Sequence, residues 1–190
     1  MKEPTVTLCQ LAPDTAELDK LEKINRDAFP SEEQLSVPEM FRYTARTDSA
    51  MLGIYADAEL VGFLLFTRGQ SVGYVFYLAV ARTERSRGYG AAALRALAAL
   101  YPDLQLTLDF EPPDPTAENQ SQRLRRKAFY LRCGFCETGC YTRLNRLQFE
   151  LVCKPAPLNV PAFCALLQTM HAALPDKMSA SLERRPPSQP

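Results

Sequence analysis

The sequence has no surplus of charge: 22 lysines and arginines stand against 22 aspartates and glutamates in 190 residues. A balanced chain has no global field to draw nucleic acid or an anionic membrane, so neither is expected as a partner. There is a single histidine, His171, far along the chain from every other motif. That argues against a Ser/His or Cys/His catalytic pair. No stretch approaches the roughly 20 apolar residues that a membrane span needs. The first residues lack the basic segment and apolar run of a secretory signal. The six cysteines are scattered, which in a chain of this size favours reduced thiols over a disulfide framework. These absences lead to the expectation of a cytoplasmic globular protein.

Apolar residues make up 46%, enough for a substantial core. The simplest division is one domain over residues 1–175, with 176–190 as a disordered tail ending in the polar "SASLERRPPSQP". "TVTLCQL" reads as a short strand. Asp14 and Glu17 then stand as N-cap and third residue of a capping box. The helix they open carries Leu18, Leu21, Ile24 and Ala28 on one face and should stop at Phe29-Pro30. "EEQLSVPEMFRYTAR" reads as a loop and a second helix, and "AMLGIYAD" with "ELVGFLLFT" as a hairpin turning at Asp-Ala. "SVGYVFYLAV" is a third apolar run, followed by a glycine segment and a helix ending near Tyr101-Pro102.

"LQLTLDFE" alternates, with Leu104, Leu106, Leu108 and Phe110 on one face and Gln105, Thr107, Asp109 and Glu111 on the other. Proline then blocks further pairing. A basic helix from about Ala117 to Cys133 offers Leu124, Ala128 and Leu131 as its buried stripe. Two strands joined by a turn containing Asn145 and a terminal helix, "VPAFCALLQTMHAAL", complete the order. No internal repeat is evident.

The glycine segment is the most informative. Gly88-Tyr89-Gly90 opens a helix, and a helix N-terminus offers unpaired N–H groups and positive dipole to an anion. Side-chain-free positions there permit close backbone approach. Gly88 to Ala93 also fits a dinucleotide fingerprint, with Asp109 near the distance of a ribose-binding acid. Against that, Ala81 to Arg87 separate the glycines from their strand, and no second βαβ half follows. Tight helix–sheet packing alone would use Ala91 to Ala93, but it leaves Arg85 and Arg87 unexplained.

Arg85-x-x-Gly88-x-Gly90, after "YLAV" and before an alanine-rich helix, resembles the pyrophosphate loop of the GNAT N-acetyltransferases. "FYLRCGF", Phe129 to Phe135, resembles that family's second signature, a helix, then Gly-Phe, then a strand. The resemblance covers roughly residues 5 to 153. It implies an α/β fold with a mixed, mostly antiparallel central sheet, splayed at the cofactor site, flanked by helices and carrying a C-terminal helix.

The resemblance also implies roles. Leu78, Ala79 and Val80 would pair with the pantetheine arm of acetyl-CoA through main-chain hydrogen bonds, and a backbone N–H near Leu78 would take the thioester carbonyl. Arg85, Ser86, Arg87, Gly88, Tyr89, Gly90 and Ala91 would cradle the pyrophosphate. Tyr130 would protonate the departing thiolate. Arg123, Arg126 and Lys127 share its helix face, either to bind phosphates or as a solvated basic surface. Many members carry Asn where this chain has Arg123. Glu111 is the preferred base for the acceptor amine and Asp109 the next; a structural carboxylate at that turn is the other reading. "FPSEEQ" resembles the acceptor-site loop, and its Glu32 and Glu33 suggest a cationic acceptor or a solvated pair.

The expected activity is acetyl transfer from acetyl-CoA to a primary amine of a small molecule or peptide, by direct attack in a ternary complex and without a metal. A homodimer is left open. The alternative is a non-catalytic acyl-CoA-binding module. Cys133 and Cys136 match C-x-x-C, but without a second ligand pair or a thioredoxin context they read as small apolar fillers. "QRLRRK" lacks the interleaved aromatics of a nucleic-acid surface.

Overall fold

The computed structural model describes residues 4–144, 147–179 and 181–184. Within the span read as one domain, contacts gather into two units. The first runs through Arg68 and again over Val75–Leu104; the second comprises Gly69–Tyr74 and the chain from Gln105 onward.

In the first unit, strands β1 (Thr7–Gln10), β2 (Ser49–Ala56), β3 (Glu59–Arg68) and β4 (Val72–Val80) follow in chain order. β1–β2 and β2–β3 pair antiparallel, and the expected hairpin turns at Asp57-Ala58. β3 is buried continuously from Leu60 to Thr67, because both of its faces are covered. The helices are α1 (Leu18–Ala28), α2 (Val37–Thr44) and α3 (Tyr89–Leu100). The capping box expected at Asp14 and Glu17 does not form. A turn closes early, Thr15 N–H to the Ala12 carbonyl, and leaves Glu17 at the cap with no side-chain bond. The box stands one helix later. Ser36 Oγ accepts the Glu39 N–H at 3.4 Å, and the Glu39 carboxylate accepts the Ser36 N–H at 2.8 Å. α1 stops as expected at Phe29, which is extended before Pro30.

In the second unit the strand order runs from the first residues of β4 through β5 (Gln105–Phe110), β7 (Leu147–Lys154), β6 (Cys136–Leu144) and β8 (Glu183–Arg184). β5–β7, β7–β6 and β6–β8 are antiparallel. Its helices are α4 (Gln120–Arg132) and α5 (Val160–Ala173). The stretch read as a disordered tail is ordered in part. Met178 is buried and bridges Leu144, while the Glu183 carboxylate takes Arg143 and Gln148. One apolar anchor and one ion pair do what the polar composition conceals. Residues 185–190 and the expected Asn145 turn lie outside the described residues. Among those described, no helix is long and apolar enough to cross a membrane.

α4 overturns the expected apolar stripe. Leu124 and Leu131 are 49% and 39% exposed, and Tyr130 is the buried residue of the helix. The face that turns inward carries Arg123, Lys127 and Tyr130 instead, because the strands beneath present carboxylates. Lys127 Nζ meets Glu150 at 2.7 Å, with the glutamate side chain only 8% exposed, and also pairs with Glu137. Burial pushes the Glu150 carboxyl above its ordinary range, against the pull of Lys127.

Removing one partner of a buried pair typically costs about 3–5 kcal/mol. Lys127→Ala should therefore destabilise by roughly 3 kcal/mol, at the low end because Glu150 can take up a proton. Leu124→Ala, at an exposed site, should stay within about 0.5 kcal/mol. Urea denaturation of both variants measures the contrast. A costly Leu124→Ala beside a neutral Lys127→Ala would reverse this account of how α4 is held.

Candidate active site

The expected cofactor residues all lie in the first unit. Leu78, Ala79 and Val80 end β4, and the next N–H, of Ala81, bonds the Val61 carbonyl at 2.8 Å. A side chain at Gly62 on β3 would strike the Ala79 carbonyl oxygen, so only glycine lets β4 lie this close. A short 3-10 turn, Arg82–Glu84, leads into the loop. There Ser86 and Gly88 both adopt positive φ, 64° and 86°. Such turns gather successive N–H groups into an anion-binding hollow. Gly88 is also the N-cap of α3 and has no side chain to close it. The first N–H groups of the helix thus keep no capping oxygen, and the helix dipole adds about half a positive charge there. The arrangement fits a pyrophosphate.

The two arginines of the loop have different roles. Arg85 donates from Nε to the Val80 carbonyl at 3.2 Å and from Nη2 to the Asp27 carbonyl at 3.0 Å. It fastens the loop to the ends of β4 and α1. Arg87 is exposed and pairs with Glu84 at 3.0 Å.

The "FPSEEQ" loop differs from its reading as a solvated surface. Glu32 is exposed, but Glu33 is buried. Tyr77 of β4 donates its hydroxyl to the Glu33 carbonyl at 2.5 Å and accepts the Leu35 N–H at 3.2 Å. Asn25, buried on α1, donates to the Leu35 carbonyl at 2.9 Å, while its Oδ1 is buried without a partner among the described residues. Neither Tyr77 nor Asn25 was anticipated. The available signal was Asn25 at helical spacing from Leu21 on the apolar face.

The expected proton-handling residues lie in the second unit. Asp109 lies within β5 and Glu111 just beyond the strand's end, and their surroundings differ. Glu111 accepts from Arg123 at 2.6 Å and Asn119 at 3.3 Å, with Arg126 3.8 Å away. Arg123 also reaches the Pro112 carbonyl and Asn119 Oδ1. Its charge ties the exit of β5 to α4. Asp109 accepts from Thr142 and is bonded by Tyr74. Burial pushes its carboxyl up to about 6, against the opposing effect of those hydrogen bonds.

Tyr130 packs on the opposite side of β5, stacked on Phe110 at 5.4 Å and edge-on to Phe135 at 6.3 Å. Burial pushes its phenol up to about 12; Arg126 opposes this, and Asp109 and Cys133 add to it. The phenol therefore keeps its proton at any working pH.

The family model described as the acetyltransferase (GNAT) family matches residues 18–135. No curated protein matches the sequence. Among solved structures, a GNAT-family protein from Bacteroides thetaiotaomicron aligns with a TM-score of 0.72 at 20% identity, covering 90% of this chain and 98% of that one. A GNAT family acetyltransferase from Elizabethkingia anophelis with acetyl-CoA bound aligns at 0.56 and 13% identity, over 78% and 97% of the two chains. A ribosomal-protein alanine N-acetyltransferase from Escherichia coli aligns at 0.56 and 19% identity, over 82% and 98%. At these identities the likeness shows the fold.

Asp109 has a measurable consequence for stability. Its folded pKa lies above its unfolded value, so the folded state binds the proton more tightly. Stability should fall as pH rises from about 4 to about 6 and then level off. The shift is worth at most about 3 kcal/mol. Asp109→Asn should remove that loss, gaining on the parent protein by up to this amount between pH 4 and pH 7. Urea unfolding across that range tests it, and a pH-independent difference would rule it out.

Proposed function

The chain belongs to the acetyltransferase (GNAT) family, and on that premise we propose that it acetylates a primary amine by direct attack, without an acyl-enzyme. The observation that carries this reading is the side-chain-free start of α3, with positive φ at Ser86 and Gly88. Bound acetyl-CoA supplies an activated thioester and leaves as the free thiol. Arg85 holds the loop, and the N–H groups from Ser86 to Ala91 bind the pyrophosphate. The main chain of Leu78–Val80 orients the pantetheine arm, and a backbone N–H there polarises the carbonyl.

Asp109 is the carboxylate that takes the proton of the amine. A base works best with a pKa near the operating pH, and burial brings Asp109 to about 6. Glu111 is committed to Arg123 and serves to position α4. Tyr130 meets the leaving thiolate. With its pKa near 12 it is a weaker acid than a thiol, whose reference is about 8.5, so it acts as a hydrogen-bond donor to the growing charge. β5 carries the two functions on opposite faces, Asp109 on one and Phe110 with Tyr130 on the other. The acceptor is a small-molecule or peptide amine in the cytoplasm.

Release of coenzyme A thiol across a panel of polyamines, aminoglycosides and peptide N-termini tests the reading. Thiol release that depends on the acceptor supports an enzyme, and binding without turnover on any amine supports a non-catalytic module. Gly90→Val, which leaves the Gly88 turn intact, should lower acetyl-CoA affinity tenfold or more by calorimetry with an unchanged melting temperature.

Tyr130→Phe should lower kcat about a hundredfold or more with little change in acetyl-CoA affinity. The pH profile of kcat/KM should show an ascending limb near 6 that Asp109→Asn abolishes and Glu111→Gln leaves in place. Loss of that limb in Glu111→Gln alone would move the base to Glu111.

A further inference from the structure

Cys136 and Cys153 are direct partners in the antiparallel ladder of β6 and β7. Residues so opposed have Cα atoms about 4.5–5.5 Å apart and side chains leaving the same face. That separation falls within the roughly 4.4–6.8 Å spanned by disulfide-linked cysteines. Both are free thiols, Cys136 exposed and Cys153 buried. The pairing is not the C-x-x-C of the sequence. Cys133 caps α4, and Cys136 opens a strand as an exposed residue, so it is not the apolar filler expected. Cys140 is opposite Leu151 and its thiol is directed to the Thr138 carbonyl at 3.6 Å.

We propose that Cys136 and Cys153 form a reversible redox pair, closed by a peroxide and opened by a dithiol, that staples β6 to β7 beside the end of α4. The exposed Cys136 thiolate attacks one peroxide oxygen. The O–O bond breaks, the sulfur becomes a sulfenic acid, and the other oxygen leaves as water after taking a proton. Cys153 then attacks the Cys136 sulfur. The S–S bond forms, the S–O bond breaks, and the Cys153 proton leaves with the hydroxide as a second water. Two thiols give up two electrons, and one peroxide becomes two waters.

The asymmetry of the pair sets this order. Burial pushes the Cys153 thiol up to about 11, with Cys136 and Cys140 nearby adding to the effect. Cys153 therefore stays protonated in the reduced protein and is sheltered from oxidant, while Cys136 is reachable. The staple would tighten a corner already anchored. Lys154, next to Cys153, donates from Nζ to the Cys133 carbonyl at 2.9 Å, where α4 ends. This inference does not depend on the acetyl-transfer reading.

The test is peroxide treatment of the reduced full-length protein, followed by mass spectrometry and thermal denaturation. The expected product is lighter by two hydrogen atoms, carries a Cys136–Cys153 linked peptide, melts several degrees higher and reverts with dithiothreitol. Cys136→Ser and Cys153→Ala should each abolish the linkage, and Cys133→Ser and Cys140→Ala should retain it. If Cys153→Ala does not fold, the exposed Cys136→Ser variant decides alone. A Cys133–Cys136 or Cys140–Cys153 linkage, or Cys136 oxidised to sulfinic acid without any cross-link, would overturn the proposal.

Discussion

One lysine between two carboxylates fixes the second unit. Lys127 lies against Glu150 and Glu137, while Arg123 and Arg126 gather around Glu111. Buried ion pairs add little net stability, yet breaking one is expensive. Such a contact acts on orientation more than on strength. An apolar stripe could seat a helix at several rotations with similar burial, whereas a lysine on a buried carboxylate allows few. The rotation it selects puts two leucines in solvent and Tyr130 against Phe110. The protonated state of the tyrosine follows from its burial at that rotation, which outweighs the opposing charge of Arg126.

The first unit is built differently at its glycine loop. Its loop offers backbone dipoles where the second unit offers titratable side chains. Backbone N–H groups are fixed once φ and ψ are fixed, so the loop needs bonds that hold its shape more than extra charge. Arg85 holds one side of the turn by reaching two carbonyls. On the other side, the Pro4 ring lies 3.1 Å from where a side chain at Gly88 would begin. The loop of Glu32 and Glu33 is also fixed by hydrogen bonds to main chain, from Tyr77 and Asn25.

Period and punctuation made most elements legible in the sequence. The alternation of β5, the apolar runs of β2 to β4, the stop at Phe29-Pro30 and the glycines before α3 are local signals, and each holds. What escaped was decided by residues distant in sequence. Leu124 and Leu131 were read inward because periodicity assumes an apolar floor, and nothing local announces that Glu150 lies beneath. Asp109 and Glu111 stand two residues apart and share a residue class. Arg123, twelve positions beyond Glu111, separates their roles. Glu33 resembled any surface glutamate until a tyrosine more than forty residues later captured its carbonyl. The capping box moved from α1 to α2 because a turn at Ala12–Thr15 consumed its place.

The hydrogen bonds of Arg85 also bear on how quickly a ligand arrives. Both of its partners are carbonyl oxygens, which are dipoles without net charge, so its bonds immobilise a full positive charge without cancelling it. Arg87, paired with Glu84, contributes almost no net field. A cation held by neutral carbonyls, in the loop that leads to an open helix start, forms a small electrostatic funnel in a molecule with no overall charge. Polyanions would be captured faster at low ionic strength, and the gain would fade once the Debye length shrinks to about 8 Å at physiological salt.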